Sequence, residues 1–299
     1  MKDDELREKF KIVKSLWKNN NLIDCDNLCS EILLNYNEPL IVHKVCTIRG
    51  NLYLELSRQS PKLILPNVQF DHTQPNSKSR KDCLTVAASQ FNNADKALSQ
   101  AGEQPNPNSA LYLGKASLQL AQGNLDSALN IFDSILNIHP RNVVALMGKG
   151  RILHVKRRYT DALKIYQDVL RLSPKLRPDP RIGIGLCFWQ LNCPNEAEKA
   201  WTRSSKLNPD LYAPQLLLGL LSLNEAKKPN EPDHYRVRSY NKGINLIQNA
   251  YKLNKNNSSA ANALAYFFLG KRNLPAVSVF LLFLFNNLFI YKFPNRPLN

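Results

Sequence analysis

The chain has 299 residues, of which 43% are hydrophobic, with a formal net charge of +16 and six cysteines. Length alone admits one or two globular domains. The cysteines form no Cys-x-x-Cys pair, and neither a metal site nor a disulfide framework is expected. No secretory leader follows Met1, so a reducing compartment is expected, and the excess of positive charge expects an acidic partner.

In chain order, residues 2–36 read as two amphipathic helices divided near Asn19, Asn20 and Asn21. Cys25 and Cys29, four apart, share one face of the second, but no further ligand pair stands at zinc spacing. Residues 41–58 and 84–101 read as helices, with Ala94 and Ala101 as packing positions. Between them, residues 59–81 carry Pro61, Pro66 and Pro75 among polar residues and read as a flexible loop.

From residue 109 a period appears. Pro140, Pro174 and Pro209 recur at spacings of 34 and 35. Twelve residues before each stands an alanine (Ala128, Ala162, Ala197), and four after each alanine an aromatic (Phe132, Tyr166, Trp201). Twelve before each alanine lies a small residue (Ala116, Gly150, Gly185). Such a period expects stacked helix–turn–helix units. The small residue lets the second helix cross at close range, the aromatic fills the space towards the next hairpin, and the proline ends the second helix. These residues resemble the tetratricopeptide repeat, and Gly123 marks the turn of the first clear unit. The resemblance implies an all-α, right-handed superhelical solenoid.

Residues 216–223 with Gly219 read as the next first helix, and residues 241–254 with Gly243 and Ala250 as its partner. The polar, proline-bearing residues 227–233 separate them as an insertion loop. The expected organisation is N-terminal helices over 1–58, a loop over 59–81, and an array over 82–270. The array comprises units 109–142, 143–177 and 178–211, a divergent unit 212–257 and a half unit 258–270, before an apolar tail over 271–299.

Charge is uneven. Residues 141–181 hold eleven Lys or Arg against three Asp, a net of +8, and Lys156, Arg157 and Arg158 fall together in one turn. They are candidates for binding an acidic protein segment, or for phosphate contacts without base reading. A solvated face is the alternative. Chemistry is absent: His43, His72, His139, His154 and His234 are scattered, and Gly183 and Gly185 lack the rest of a phosphate loop. No catalytic residue, metal or cofactor is expected.

The third unit carries more than the repeat requires, in Pro178-Asp179-Pro180-Arg181-Ile182-Gly183-Ile184-Gly185-Leu186-Cys187-Phe188. With Ala145-Leu146-Met147-Gly148-Lys149-Gly150 and Ala94-Asp95-Lys96, this run resembles the large tetratricopeptide subunit of the polymerase-associated factor complex. That resemblance implies a nuclear, non-enzymatic scaffold whose partners are the other subunits of the complex and RNA polymerase II. The family supports transcript elongation and histone modification.

The chain departs from the family, whose members are longer and have an acidic tail. Residues 276–291 are sixteen largely apolar residues interrupted by Asn286 and Asn287. They read either as non-coding sequence replacing the rest of the array, or as a membrane anchor just short of the ~17–25 residues a span needs. An anchor would make the chain a membrane-tethered cytosolic adaptor, in the manner of a chaperone receptor. Chaperone-binding arrays place a Lys and an Asn on the groove face of the first helices. The matching positions here are Leu113 and Ser117, Met147 and Arg151, and Ile182 and Leu186. Leu113, Met147 and Arg151 are therefore candidates for holding an apolar or extended partner segment.

Overall fold

The computed structural model describes residues 2–59, 79–102, 110–255 and 257–270. The expected loop over 59–81 and the tail over 271–299, with its apolar stretch, lie outside these apart from residues 59 and 79–81. The described residues form thirteen α-helices and no strand. The chain divides into two compact units, Met1–Gly148 and Lys149–Asn299.

The first unit contains α1 (Lys2–Lys18), α2 (Leu22–Asn35), α3 (Pro39–Gln59), α4 (Arg80–Gln100), α5 (Ala110–Gln122), α6 (Leu125–Ile138) and the start of α7 (Val143–Val155). The second continues α7 and adds α8 (Tyr159–Leu172), α9 (Pro180–Gln190), α10 (Pro194–Leu207), α11 (Tyr212–Glu225), α12 (Asp233–Leu253) and α13 (Ser258–Gly270).

The tight hairpins are made alike. The turn residue takes a left-handed conformation at Asn20 (φ 58°), Gly123 (φ 91°), Arg157 (φ 63°) and Asn192 (φ 58°). The next amide then reaches back five residues: Asn21 N–H to Leu16 O (3.0 Å), and Asn124, Arg158 and Cys193 to Gln119, Leu153 and Phe188 (2.9 Å each). These bonds close the first helix by satisfying carbonyls that its last turn leaves unpaired. At the far end the second helix closes through His139 N–H to Ile135 O, Ser173 to Val169 and Asn208 to Ser204, at 2.8–2.9 Å. Pro140, Pro174 and Pro209 stand immediately after these caps, where a missing N–H and the fixed ring forbid another turn. All three prolines are exposed, so they act as stops and not as core.

Packing repeats at three positions of the second helix, at offsets of zero, four and seven. Ala128, Phe132 and Ile135 occupy them in α6, Ala162, Tyr166 and Val169 in α8, and Ala197, Trp201 and Ser204 in α10. Each is buried. The same register runs through α2 as Cys25, Cys29 and Ile32, through α4 as Ala87, Phe91 and Ala94, and through α12 as Gly243, Ile247 and Ala250. Cys25 and Cys29 therefore stand in the alanine and aromatic positions of a hairpin core. Burying one such aromatic stabilises its hairpin by roughly 2–3 kcal/mol.

Local polar contacts fix the remaining ends. Ser79 and Asp82 form a reciprocal cap on α4, with Asp82 N–H donating to Ser79 Oγ at 3.2 Å and Ser79 N–H to Asp82 Oδ2 at 3.1 Å. Asp26 on α2 accepts from Arg49 Nε at 2.7 Å and from Tyr53 OH at 2.8 Å, tying α2 to α3. The connection expected over 227–233 is present as residues 226–232, but α12 starts at Asp233, eight residues before the expected Asn241. Its first two turns bury only Ser239 and leave Tyr235, Val237 and Tyr240 exposed, so no apolar period announces them.

Candidate partner-binding surfaces

Small residues on the first helices let the rings of the second helices pack directly against them. A Cβ placed on Gly185 would meet Trp201 Cδ1 at 2.6 Å, and one on Gly150 would meet Tyr166 Cε1 at 3.0 Å. In both pairs the glycine and the ring belong to one hairpin. Two residues earlier, Gly183 faces the ring of the preceding hairpin, its Cβ position lying 2.7 Å from Tyr166 Cε2. In the first unit Gly148 does the same towards Phe132, with Cε1 at 2.7 Å. Phe91 is enclosed by Gly50 on one side and Gly114 on the other, each with a ring carbon at 2.6 Å. Phe91 and Tyr166 thus each lie between two glycines, one in their own first helix and one in the next. Ala116 is fully buried in the α5 position that Gly150 and Gly185 hold in theirs.

The first helices also present the half-buried residues named above. In the first unit these are Leu113 and Ser117 on α5 and Met147 on α7. In the second unit Arg151 on α7 is exposed, while Ile182 and Leu186 on α9 are half-buried. These faces are largely apolar, and no lysine–asparagine pair appears at those positions.

The cations of residues 141–181 are not equivalent. Arg158 pairs with Asp161 at 2.7 Å, Arg171 with Asp168 at 2.8 Å, and Arg181 with the buried Asp179 at 3.2 Å. Arg157 is exposed at the apex of the α7–α8 turn, Lys156 is partly buried beside it, and Val155 before them is 54% exposed.

The third unit contains a polar core that the sequence reading missed. Asp179, 3% exposed, caps α9 by accepting from Arg181 N–H at 2.9 Å. Its other oxygen accepts from Ser204 Oγ at 2.7 Å and from Asn208 Nδ2 at 3.5 Å. Ser204 takes the third core position of α10, which is apolar in the other second helices, so the carboxylate replaces a packing contact with a hydrogen bond. Trp201 Nε1 donates to Ile182 O at 3.2 Å. A serine seven residues after the packing alanine was the available signal.

Few groups have shifted acidity. Burial pushes the Cys187 thiol up to about 12. Contact with the Cys25 thiol and burial raise Cys29 far above the ordinary thiol range. Burial lowers His154, an effect partly opposed by its hydrogen bond to the Leu186 backbone. His154 Nε2 is buried without a partner, and its ring meets Tyr159 edge-on at 5.2 Å. Among the described residues no group of three His, Cys, Asp or Glu could hold a metal, and no helix is long and apolar enough to cross a membrane. Two open surface hollows, of about 360 and 460 Å³, are each lined by one short stretch of chain. Neither encloses a small molecule.

Comparison with known proteins agrees with this geometry. Residues 113–176 match the family model described as tetratricopeptide repeat. The chain is 37% identical over 150 residues to tetratricopeptide repeat protein 1 of Schizosaccharomyces pombe, covering 50% of this chain and 14% of that protein. It is 32% identical over 171 residues to RNA polymerase-associated protein CTR9 of Saccharomyces cerevisiae, covering 53% of this chain and 16% of that one. The chain thus spans about one-sixth or less of the length of these relatives. Among solved structures, a tetratricopeptide repeat protein from Parabacteroides merdae aligns over 92% of this chain and 90% of its own, with a TM-score of 0.57 and 14% identity. The fold is an all-α tetratricopeptide-repeat array, similar over about half its length to relatives that include an RNA polymerase-associated protein.

Proposed function

We propose that the chain is a protein-binding scaffold of an RNA polymerase II elongation complex of the polymerase-associated factor type, working in the nucleus and without catalysis of its own. The observation that carries this reading is the reach of the similarity. It runs across 171 residues to a protein named RNA polymerase-associated, well beyond the stretch that matches a bare repeat. Its partners are the other subunits of such a complex and, through them or directly, the polymerase. By holding them together the array supports elongation and co-transcriptional histone modification.

The half-buried apolar faces suit this role. Leu113 and Met147 in the first unit, and Ile182 and Leu186 beside Arg151 in the second, offer shallow contact to extended or helical partner segments. Affinity purification of the tagged full chain from nuclear extract tests the proposal. Co-recovery of elongation-complex subunits with polymerase is expected. Recovery of chaperones alone would contradict it.

A further inference from the structure

We propose that the α7–α8 turn of the second unit is a docking site for an acidic polypeptide segment carrying an aliphatic anchor. The inference stands whichever complex the chain enters.

Local physics opposes the residues found in this turn. Arg157 holds φ 63° where the equivalent turns place Asn20, Gly123 and Asn192. Asparagine and glycine tolerate the left-handed region, whereas a long side chain is disfavoured there. Arg158 follows as the residue before α8 and makes no side-chain cap. Its positive charge opposes the positive end of the helix dipole. A face selected only for solubility has no reason to put arginine at the left-handed position. Asp161 answers Arg158 at 2.7 Å, yet residues 151–161 keep a net charge of +3.

The surroundings choose between classes of anionic partner. Val155, 54% exposed, immediately precedes Lys156, Arg157 and Arg158 in the chain, and Arg151 is exposed one turn earlier on the same helix. An exposed aliphatic side chain among cations offers nothing to a phosphate backbone, but it complements a carboxylate-rich segment with an apolar residue. Single-stranded nucleic acid binds through bases stacked on free aromatic faces. The ring at this turn, Tyr159, is half-buried and already packed edge-on against His154 at 5.2 Å. An acidic polypeptide is therefore the occupant that the site fits.

The test uses the full chain and three fluorescent probes: a 14-residue Asp/Glu peptide containing two leucines, the same peptide with serines for leucines, and a 20-nucleotide single strand. Anisotropy is read at low and at physiological salt. The leucine-bearing peptide should bind most tightly, and more weakly at higher salt. Arg157→Gly, which removes the charge while relaxing the turn, should weaken it by about 5-fold, with a melting temperature at or above that of the parent chain. Arg157→Asn should behave alike, and Val155→Ser should weaken binding by about 3-fold. Parent-like peptide affinity in folded Arg157→Gly and Arg157→Asn would overturn the proposal. So would tighter binding of the oligonucleotide that these variants abolish, or no peptide binding at all.

Discussion

Ser204 donates a hydrogen bond to Asp179 at 2.7 Å, joining the end of α10 to the start of α9 inside the third hairpin. Both residues are buried; the Ser204 hydroxyl has the carboxylate as its partner, while Asp179 shares its compensation for lost water between Ser204 and Arg181. Asp179→Ala removes the cap of α9, the ion pair to Arg181 and the acceptor for Ser204. It should destabilise the second unit by about 2–4 kcal/mol. Ser204→Ala leaves the carboxylate its Arg181 contacts and should lose about 1–2 kcal/mol. Denaturant titration of both variants and of their double should show a coupling energy near 1–2 kcal/mol. Strict additivity would mean that the pair does not act as a unit.

The enclosed aromatics predict a ranking of glycine replacements. Gly185→Ala and Gly183→Ala put a methyl group at 2.6–2.7 Å from ring atoms of Trp201 and Tyr166. Each should destabilise by about 1–3 kcal/mol. At Gly150 the nearest ring atom lies at 3.0 Å, and the same change should be milder. Thermal melts that place Gly150→Ala lowest would contradict the packing described.

Thiol chemistry follows from burial. Cys25, Cys29, Cys46, Cys83 and Cys187 are buried, while Cys193 is exposed at the α9–α10 turn. A native chain mixed with a thiol-specific disulfide reagent should show one fast equivalent, assigned to Cys193, and all six in denaturant. Two fast equivalents, with Cys25 or Cys29 labelled, would mean that α2 does not pack as seen.

Acidity should weaken the second unit through His154. Burial depresses this imidazole below its ordinary value of 6.5. Above that value both folded and unfolded states are neutral, and the contribution to stability is whole. As the pH falls below it the unfolded chain takes up the proton first, and stability is lost until the folded-state value is passed. Melting curves from pH 8 to pH 5 should therefore fall more steeply for the parent chain than for His154→Leu. Equal slopes would remove His154 from the account.

Much of this was legible in the sequence because alanine and aromatic recur in α6, α8 and α10, each followed by a proline just past the helix end. The register also runs through α2 and α4, where it was hidden for separate reasons. In α2, cysteines fill both the small and the large position, so neither the alanine nor the aromatic that marks the repeat is present. In α4, Ala87 and Phe91 keep the four-residue spacing, but residues 60–78 separate the helix from its partner α3 and break the period. Asp179 was invisible as a core residue because a charge reads as surface until packing brings Ser204 against it. The second glycine of each Gly-x-Gly pair was expected from the repeat. The first required knowing that the ring of the preceding hairpin reaches it.

The scaffold reading is tested most directly by immunoprecipitating elongating RNA polymerase II from cells that express the tagged chain, either unaltered or as the Leu113→Glu, Met147→Glu double variant. Both residues are half-buried on first helices of the first unit, so charge there should block a partner's apolar segment. The account predicts that the unaltered chain is recovered with the polymerase and that the variant, equally folded, is reduced about 5-fold or more. Absence of the unaltered chain from the polymerase fraction would contradict it.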